Sequence, residues 1–473
     1  MATFNQKIAR NTIVQLIGKG FSTILGLIAV VIMTRYLGQE GYGQYTTIVS
    51  FLQFFGIIVD FGLTLTTVQM ISKPGADEKK ILSNIFTLRF WSALIFLGIA
   101  PLVALFFPYP SVIKIGIAFT TLSFFFIALQ QIQVGIFQKQ LKMGKIMIAE
   151  IAGRAALVIG VILVAFLNKG ILMVMGSIVL GSFVSWLITF IFARRYVKYS
   201  WAYDFDVWKK IIITSWPLGV SIIFNLLYLK SDIIILSVVR SQAEVGLYGA
   251  PYRVIDILTM IPMMFVGLLL PIFTLKWAEK NLAEFKNIFQ MAFNVMAIMA
   301  IPIVVGTQFL GEELMVLIAG QEFLISGSLL KILILAQGAI FFGVIFGHLI
   351  VALNKQLVML WGYIITAVLS LTVYFIVIPR YSYYGAAWAT VFSEVLIMCL
   401  TFFVVYKTTK IFPSFKIFSK AILASAVMGV VLYFARDLHV LILLLISVPV
   451  YLGALYLFKG FDKKLVKEII SLR

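Results

Sequence analysis

Apolar stretches long enough to cross a lipid bilayer recur about fourteen times along this chain of 473 residues. One helical crossing needs roughly 20 consecutive apolar residues, and the links between these stretches are short. Hydrophobic residues make up 62% of the sequence and charged residues only 12%, which is more apolar surface than a water-soluble fold can hide. The sequence therefore predicts an all-α protein that crosses a membrane many times.

The predicted crossings, numbered 1 to 14 in chain order, are residues 12–36, 44–70, 82–107, 112–137, 146–167, 171–193, 211–237, 246–275, 287–310, 326–353, 356–378, 384–406, 417–435 and 440–458. With the N-terminus inside, the links on the inner side hold 26 Lys and Arg residues and the outer links hold six. This asymmetry follows the positive-inside rule and predicts that both termini are cytoplasmic. The first apolar stretch is too long for a signal peptide, so we expect none to be removed.

The net charge of +19 is spread over these links and not gathered into one patch. Such a distribution argues against nucleic-acid binding and fits attraction to anionic lipids of the inner leaflet. The single cysteine, Cys399, excludes a disulfide framework and a thiolate metal site. The two histidines, His348 and His439, lie far apart. We therefore expect no metal, no cofactor and no enzymatic activity.

The longest link, residues 194–210, separates the first six crossings from the next six. The Gly-x-Tyr motif at Gly43 recurs at Gly246, an offset of 203 residues. A repeat of six crossings without inversion indicates two similar lobes. We predict a first lobe at residues 1–193, a cytoplasmic linker at 194–210 and a second lobe at 211–410. Residues 411–473 then hold crossings 13 and 14 and a cytoplasmic tail.

Polar residues form stripes at helical spacing on four of the crossings, and such faces avoid lipid. The stripes consist of Asn11, Gln15, Lys19 and Ser22 on crossing 1; Thr46, Ser50, Gln53, Asp60, Thr64 and Thr67 on crossing 2; Thr214, Ser221, Asn225, Tyr228 and Asp232 on crossing 7; and Gly249, Arg253, Asp256 and Thr259 on crossing 8. The 203-residue offset superposes Ser50 and Gln53 on Arg253 and Asp256. The pattern predicts a hydrated interior shared by both lobes. Alternatively, each stripe packs helices together within its own lobe.

Six basic residues fall at predicted membrane depth, namely Lys19, Arg89, Arg154, Lys230, Arg253 and Lys331. The acids at similar depth are Asp60, Glu150, Asp232, Asp256 and Glu394. Glu150 and Arg154 are four residues apart, so we expect them to pair. A basic interior suits an anionic substrate, and Arg binds phosphate especially well. The predicted substrate site comprises Lys19, Arg89, Arg154, Arg253, Gln53, Asn225 and Tyr228, and the candidates for ion coupling are Asp60, Asp232 and Asp256.

Three segments resemble the signatures of a known family: Met33 to Tyr45, the Asp60-Phe61-Gly62-Leu63 motif, and Val245 to Arg253. They are similar to the polysaccharide biosynthesis (oligosaccharide flippase) proteins of the multidrug/oligosaccharidyl-lipid/polysaccharide exporter superfamily. The resemblance implies two six-helix lobes in a bacterial or archaeal plasma membrane. It also implies that an oligosaccharide linked to undecaprenyl pyrophosphate is moved from the inner to the outer leaflet by alternating access.

The related lipid II flippases use basic residues in crossings 1, 2 and 8. Lys19 and Arg253 match two of these places, whereas crossing 2 of this chain offers Asp60 and no Arg. The partners implied are the lipid-linked oligosaccharide, membrane lipids, a polysaccharide polymerase, and H⁺ or Na⁺ as a coupling ion.

Two other functions compete with this interpretation. A cation-coupled multidrug exporter of the same superfamily would carry an excess of interior acids, whereas this chain has six interior bases against five acids. A membrane glycosyltransferase or polymerase would need a large outer loop with catalytic carboxylates. The longest outer link, residues 311–325, contains Glu312, Glu313 and Glu322 but has little room for a sugar site.

The predicted topology can be tested by labelling single cysteines in a Cys399→Ala background. Cysteines at positions 77 and 468 are expected to react only after the membrane is permeabilised, and a cysteine at position 313 is expected to react in intact cells. Labelling of position 77 or 468 from outside would contradict the two-lobe arrangement.

Overall fold

The computed structural model describes residues 4–73 and 75–460, without the side chains of residues 4–10, 12–13 and 217–218. All regular secondary structure in these ranges is helical, which confirms the predicted fold class. The side chains of Lys7 and Arg10 and the predicted tail from residue 461 onward lie outside the described residues.

The thirteen described α-helices closely follow the predicted apolar stretches. They are α1 (Phe4–Asp60), α2 (Leu63–Ile71), α3 (Glu78–Leu105), α4 (Ser111–Lys139), α5 (Met143–Phe166), α6 (Ile171–Ala193), α7 (Phe205–Val239), α8 (Gln242–Ala278), α9 (Leu282–Ala319), α10 (Leu324–Ala352), α11 (Gln356–Thr409), α12 (Lys416–Phe434) and α13 (Val440–Leu457). A short 3₁₀ helix, Gln321–Phe323, precedes α10.

Among the described residues, twelve helical stretches are long and apolar enough to cross a membrane, judged by length and composition. The two longest elements, α1 with 57 residues and α11 with 54, each consist of two helices that meet at a kink. Each is interrupted by one residue with a left-handed backbone, Gly38 (φ 63°) in α1 and Ser382 (φ 51°) in α11. These interruptions separate predicted crossing 1 from 2 and crossing 11 from 12. The count of fourteen crossings stays a prediction.

Predicted crossing 2 is not one continuous helix. It breaks at Phe61 (φ 38°) and Gly62 (φ 75°), where α1 ends and α2 begins. Glycine adopts positive φ at little cost, whereas a phenylalanine there is strained. The break places Asp60 at the C-terminal end of a helix, where the helix dipole disfavours a carboxylate. The Asp60 carboxylate is therefore stabilised by a nearby cation, which is Arg89 of α3.

The chain divides into two compact units, Met1–Gly249 and Ala250–Arg473. In the first unit, α1 packs against α3, α4, α5 and α7, and in the second unit α10 packs against α9 and α11 while α12 and α13 cover α9. The boundary lies within α8 and not in the link after α6, so the first unit includes all of α7. The predicted lobe boundaries stay a prediction.

The link between α6 and α7 is held along α3. The backbone N–H groups of residues 200, 202 and 204 donate to side chains of α3 at 2.9–3.1 Å, the acceptors being Ser83, Thr87 and Asn84. Lys80 Nζ lies 2.8 Å from an Asp204 carboxylate oxygen. The hydrogen bond from Lys80, followed by that from the Val207 N–H, lowers the pKa of Asp204. The link is thus a fixed part of the first unit, and it begins α7 at Phe205 instead of the predicted residue 211.

The two glycines of the Gly-x-Tyr repeat meet each other within the first unit. A Cβ added to Gly43 would lie 1.7 Å from the carbonyl oxygen of Gln242, and a Cβ added to Gly246 would lie 2.0 Å from that of Gln39. The contact is reciprocal, because Gln39 and Gln242 are also 203 residues apart. Only glycine allows the two backbones to approach this closely, which explains why the motif recurs.

Candidate functional site

A polar cluster joins α1 to α5 in the first unit, and we call Lys19, Ser22, Glu150 and Arg154 the Lys19 cluster. Lys19 Nζ lies 2.7 Å from Glu150 Oε1, and Ser22 Oγ donates to the same oxygen at 2.8 Å. The side chains of Lys19 and Glu150 are 35% and 22% exposed. The pair is therefore accessible to a ligand, unlike an ion pair sealed in a core.

Arg154, one helical turn beyond Glu150, is exposed and lies beside α1. An added Cβ on Gly26 would be 3.8 Å from its guanidinium Nη1. The predicted Glu150–Arg154 pair is wrong, because Glu150 bonds Lys19 and Ser22 of α1 instead. The spacing of four residues on α5 favoured Arg154 as the partner of Glu150, but the packing of α1 on α5 brings Lys19 into contact with Glu150 instead. Lys19 and Arg154 thus place two positive charges in one partly exposed region.

A second cluster lies at the break between α1 and α2, and we call Asp60, Thr64 and Arg89 the Asp60 cluster. Arg89 of α3 is completely buried and donates through Nη2 to Asp60 Oδ1 and, at 3.0 Å, to Thr64 Oγ1. Thr64 also donates to Asp60. The Nε and Nη1 atoms of Arg89 are buried without a hydrogen-bond partner. A predicted substrate residue and a predicted coupling residue are therefore joined in one charge pair.

Three more of the predicted site residues lie on α7. Asp232 is completely buried and accepts hydrogen bonds from the Tyr248 hydroxyl at 2.6 Å and from the N–H of Ile233 at 2.8 Å. Asn225 Nδ2 donates to the Tyr228 hydroxyl at 2.7 Å, and Tyr228 is buried. The bond from Tyr248 joins α7 to α8, whereas the Asn225–Tyr228 bond lies within α7. Gln53 is half-buried on α1.

The remaining predicted site residues, Arg253 and Asp256, belong to the second unit. They lie one turn apart on α8 with a closest N–O distance of 3.9 Å, and their side chains are 28% and 44% exposed. This is a loose pair compared with Lys19 and Glu150. Among the described residues, no group of three or more His, Cys, Asp or Glu side chains could hold a metal ion.

The second unit also contains an apolar cavity of about 510 Å³. It is formed by α9, α10, α11, α12 and the segment before α12, and its aromatic walls include Phe293, Phe342, Phe346, Phe402 and Phe418. A cavity of this composition accepts a hydrocarbon chain and excludes charged groups.

The family model described as "Polysaccharide biosynthesis protein" matches residues 8–277, which is more than half of the chain. The chain belongs to this family. The resemblance found in the three sequence segments is thereby confirmed.

Two relatives match most of the length of this chain. A Shigella dysenteriae protein named as an O-antigen transporter is 24% identical over 401 residues, covering 82% of this chain and 98% of the relative. A Haloferax volcanii protein named as a low-salt glycan biosynthesis flippase is 24% identical over 408 residues, covering 82% and 81%. Both names describe transport and not catalysis.

Solved structures of two transporters share the fold. A lipid II flippase, MurJ, in an inward closed conformation superposes with a TM-score of 0.78 at 20% identity, covering 94% of this chain and 98% of the other. An inward-facing multidrug resistance transporter of the MATE family superposes with a TM-score of 0.68 at 15% identity, covering 84% and 98%. The chain therefore has the fold of these transporters and is a multi-pass membrane protein.

The sequence missed two features of the site. Thr64 was noted only as a member of a stripe, yet it bridges Asp60 and Arg89. The available signal was that Asp60 and Arg89 each lacked an opposite charge three or four residues away. The apolar cavity left no such signal, because apolar residues that line a cavity have the same spacing as apolar residues that face lipid or pack in a core.

The Asp60 cluster predicts a strong coupling between two substitutions. Asp60→Ala leaves the completely buried Arg89 guanidinium without its counter-charge and is expected to cost about 3–5 kcal/mol of stability. Adding Arg89→Ala removes the unpaired charge, so the double variant is expected to recover much of that loss. The measurement is the thermal midpoint of purified protein, with Lys331→Ala, at a half-exposed ion pair, as the control. Additive losses in the double variant would contradict the pairing.

Proposed function

We propose that the protein moves a polyprenyl-diphosphate-linked oligosaccharide, most simply one on undecaprenyl, from the inner to the outer leaflet for cell-surface polysaccharide biosynthesis. Its family and the transport names of its two relatives support this function. Such a substrate has three chemically distinct parts: a dianionic or more highly charged diphosphate, a hydrophobic chain and a polar glycan. We propose that the Lys19 cluster binds the diphosphate and that the apolar cavity of the second unit accepts part of the hydrophobic chain.

The observation that carries the proposal is the Lys19 cluster. Lys19 and Arg154 supply two positive charges in a partly exposed polar region, and in this conformation Glu150 provides the counter-charge for Lys19. A diphosphate carries more negative charge than one carboxylate and accepts more hydrogen bonds, so it can displace Glu150 from Lys19. Glu150 then neutralises Lys19 while no substrate is bound.

The apolar cavity of the second unit supports the same proposal for the lipid part. A polyprenyl chain is long, flexible and purely hydrocarbon, and the cavity walls are almost entirely aromatic and aliphatic side chains. We propose that part of the chain enters this cavity while the remainder stays in the bilayer. Arg253, with Asp256, is the proposed contact of the second unit with the head group.

Coupling to H⁺ or Na⁺ is proposed to involve Asp60, with Asp232 and Asp256 as further candidates. Asp60 is 29% exposed and shares its oxygen between Arg89 and Thr64. A proton or Na⁺ at this carboxylate would weaken its bond to Arg89 and so alter the break between α1 and α2. Arg89 is completely buried in this conformation, so its proposed role is to position Asp60. A polysaccharide polymerase stays a proposed partner.

The substrate-binding role can be tested by complementation of a strain that lacks the gene. The double variant Lys19→Ala/Arg154→Ala is expected to lose surface polysaccharide, because the diphosphate loses both cationic contacts, while protein abundance stays within about twofold since neither side chain is fully buried. Glu150→Gln is expected to retain export. Lys331→Ala serves as a control, because it removes one positive charge from an ion pair outside the proposed site.

Normal surface polysaccharide in the double variant would contradict this function for the Lys19 cluster. An equal loss of export in Lys331→Ala would show that removing any interior positive charge stops export. That result would also contradict a substrate-binding role of the Lys19 cluster.

A further inference from the structure

A second basic cluster lies at the end of the first unit that the charge distribution predicts to be cytoplasmic. It surrounds Tyr196, just after α6, and we call Lys142, Lys145, Tyr196 and Arg194 the Tyr196 cluster. Lys142 Nζ lies 4.5 Å and Lys145 Nζ 4.8 Å from the centroid of the Tyr196 ring. Lys142 Nζ is also 3.3 Å from the Tyr196 hydroxyl. One aromatic ring thus holds two ammonium groups.

These cations have no acidic partner. Among the described residues, no carboxylate lies within 4.0 Å of Lys142, Lys145 or Arg194. Neighbouring lysines on the same side differ, because Lys139 binds Glu78 at 2.7 Å and Lys80 binds Asp204 at 2.8 Å. What distinguishes the Tyr196 cluster is that its unneutralised cations are gathered around one aromatic ring.

The start of α5 adds to the positive potential. Lys142 is the N-cap residue, Lys145 lies in the first turn, and that turn contains no acid. The N-terminal end of a helix carries a partial positive charge, so cations there are unfavourable and anions favourable. Hydrogen bonds from Lys145 and Lys142 lower the pKa of the Tyr196 hydroxyl, which reflects the same potential. The arrangement is stabilised most simply by a bound anion.

We propose that the Tyr196 cluster binds the phosphate of an anionic phospholipid of the inner leaflet. Two aromatic residues beside the Tyr196 cluster favour a lipid over a soluble anion. Lys145 Nζ lies 5.2 Å from the Phe192 ring, and the Arg194 guanidinium lies 5.1 Å from the Phe190 ring. Phe190 and Phe192 belong to the last turn of α6, an apolar helix long enough to span the bilayer. Aromatic rings with adjacent Lys and Arg at a helix end are typical of the headgroup region.

This site is separate from the proposed transport site, because none of its residues belongs to the Lys19 or Asp60 cluster. Lys142 and Arg194 are exposed, and Lys145 and Tyr196 are half-buried. The ligand would contact both the turn between α4 and α5 and the end of α6. A bound phospholipid would then fasten α5, which carries Glu150 and Arg154, to α6.

The experiment measures binding of phosphatidylglycerol to the purified full-length protein in phosphatidylcholine nanodiscs, by native mass spectrometry over a series of phosphatidylglycerol fractions. Lys142→Gln/Lys145→Gln is expected to weaken phosphatidylglycerol binding by at least about tenfold, because it removes both ammonium groups that lie on the Tyr196 ring and would contact the phosphate. The matched control is Lys73→Gln/Lys79→Gln, which removes two exposed lysines from another predicted inner link and is expected to change binding less than about twofold.

Equal weakening in both double variants would overturn the proposal, because diffuse charge would then explain lipid binding. Displacement of phosphatidylglycerol by inorganic phosphate at equal concentration would also overturn it, since the site would then be one for soluble anions. Thermal midpoints of both variants in phosphatidylcholine alone check that each is folded. Unchanged export by Lys142→Gln/Lys145→Gln leaves this proposal standing, because lipid binding is measured without transport.

Discussion

A charged side chain within the bilayer must find its counter-charge inside the protein, and this requirement shapes the first unit. The pair of Asp60 and Arg89 is the clearest case, because the guanidinium is completely buried and the carboxylate stands at the end of a broken helix. The break, the bridging Thr64 and the position of α3 all depend on this pair. Losing Asp60 would leave the buried charge of Arg89 unpaired, which costs far more than the intact pair contributes.

The same requirement separates residues that hold the fold from residues that can bind a substrate. Arg89 is fully buried, whereas Lys19 shares a partly exposed carboxylate with Ser22, and Arg154 beside it is exposed. A pair that is open to ligand can exchange its carboxylate for a phosphate, and a sealed pair cannot. The open cluster of the first unit suits a negatively charged head group, and the apolar cavity of the second unit, taken by itself, suits a hydrocarbon chain.

Most of the fold could be predicted from the sequence because membrane crossings are set by length and apolarity, which are local properties. The Gly-x-Tyr repeat was also visible, and the structure shows its cause in the contact of Gly43 with Gly246. The sequence indicated only that Asp60 and Arg89 each lacked a partner on their own helix, and it could not show which residue on another helix would supply one, as for Lys19 and Glu150. The break at Phe61 was missed since the residues around it keep an apolar helical pattern, and the cavity was missed since it depends on packing.

The most direct test of the account uses purified protein in liposomes that contain a polyprenyl-diphosphate oligosaccharide with a fluorescent label on the glycan. A membrane-impermeant quencher measures how much of the label moves to the other leaflet with time. We expect the wild-type protein to move the labelled lipid to the other leaflet. With Lys19→Ala/Arg154→Ala, we expect the labelled lipid to move no faster than it does in protein-free liposomes. Movement of a cationic dye with none of the labelled lipid, or equal movement by the wild type and the double variant, would contradict this account.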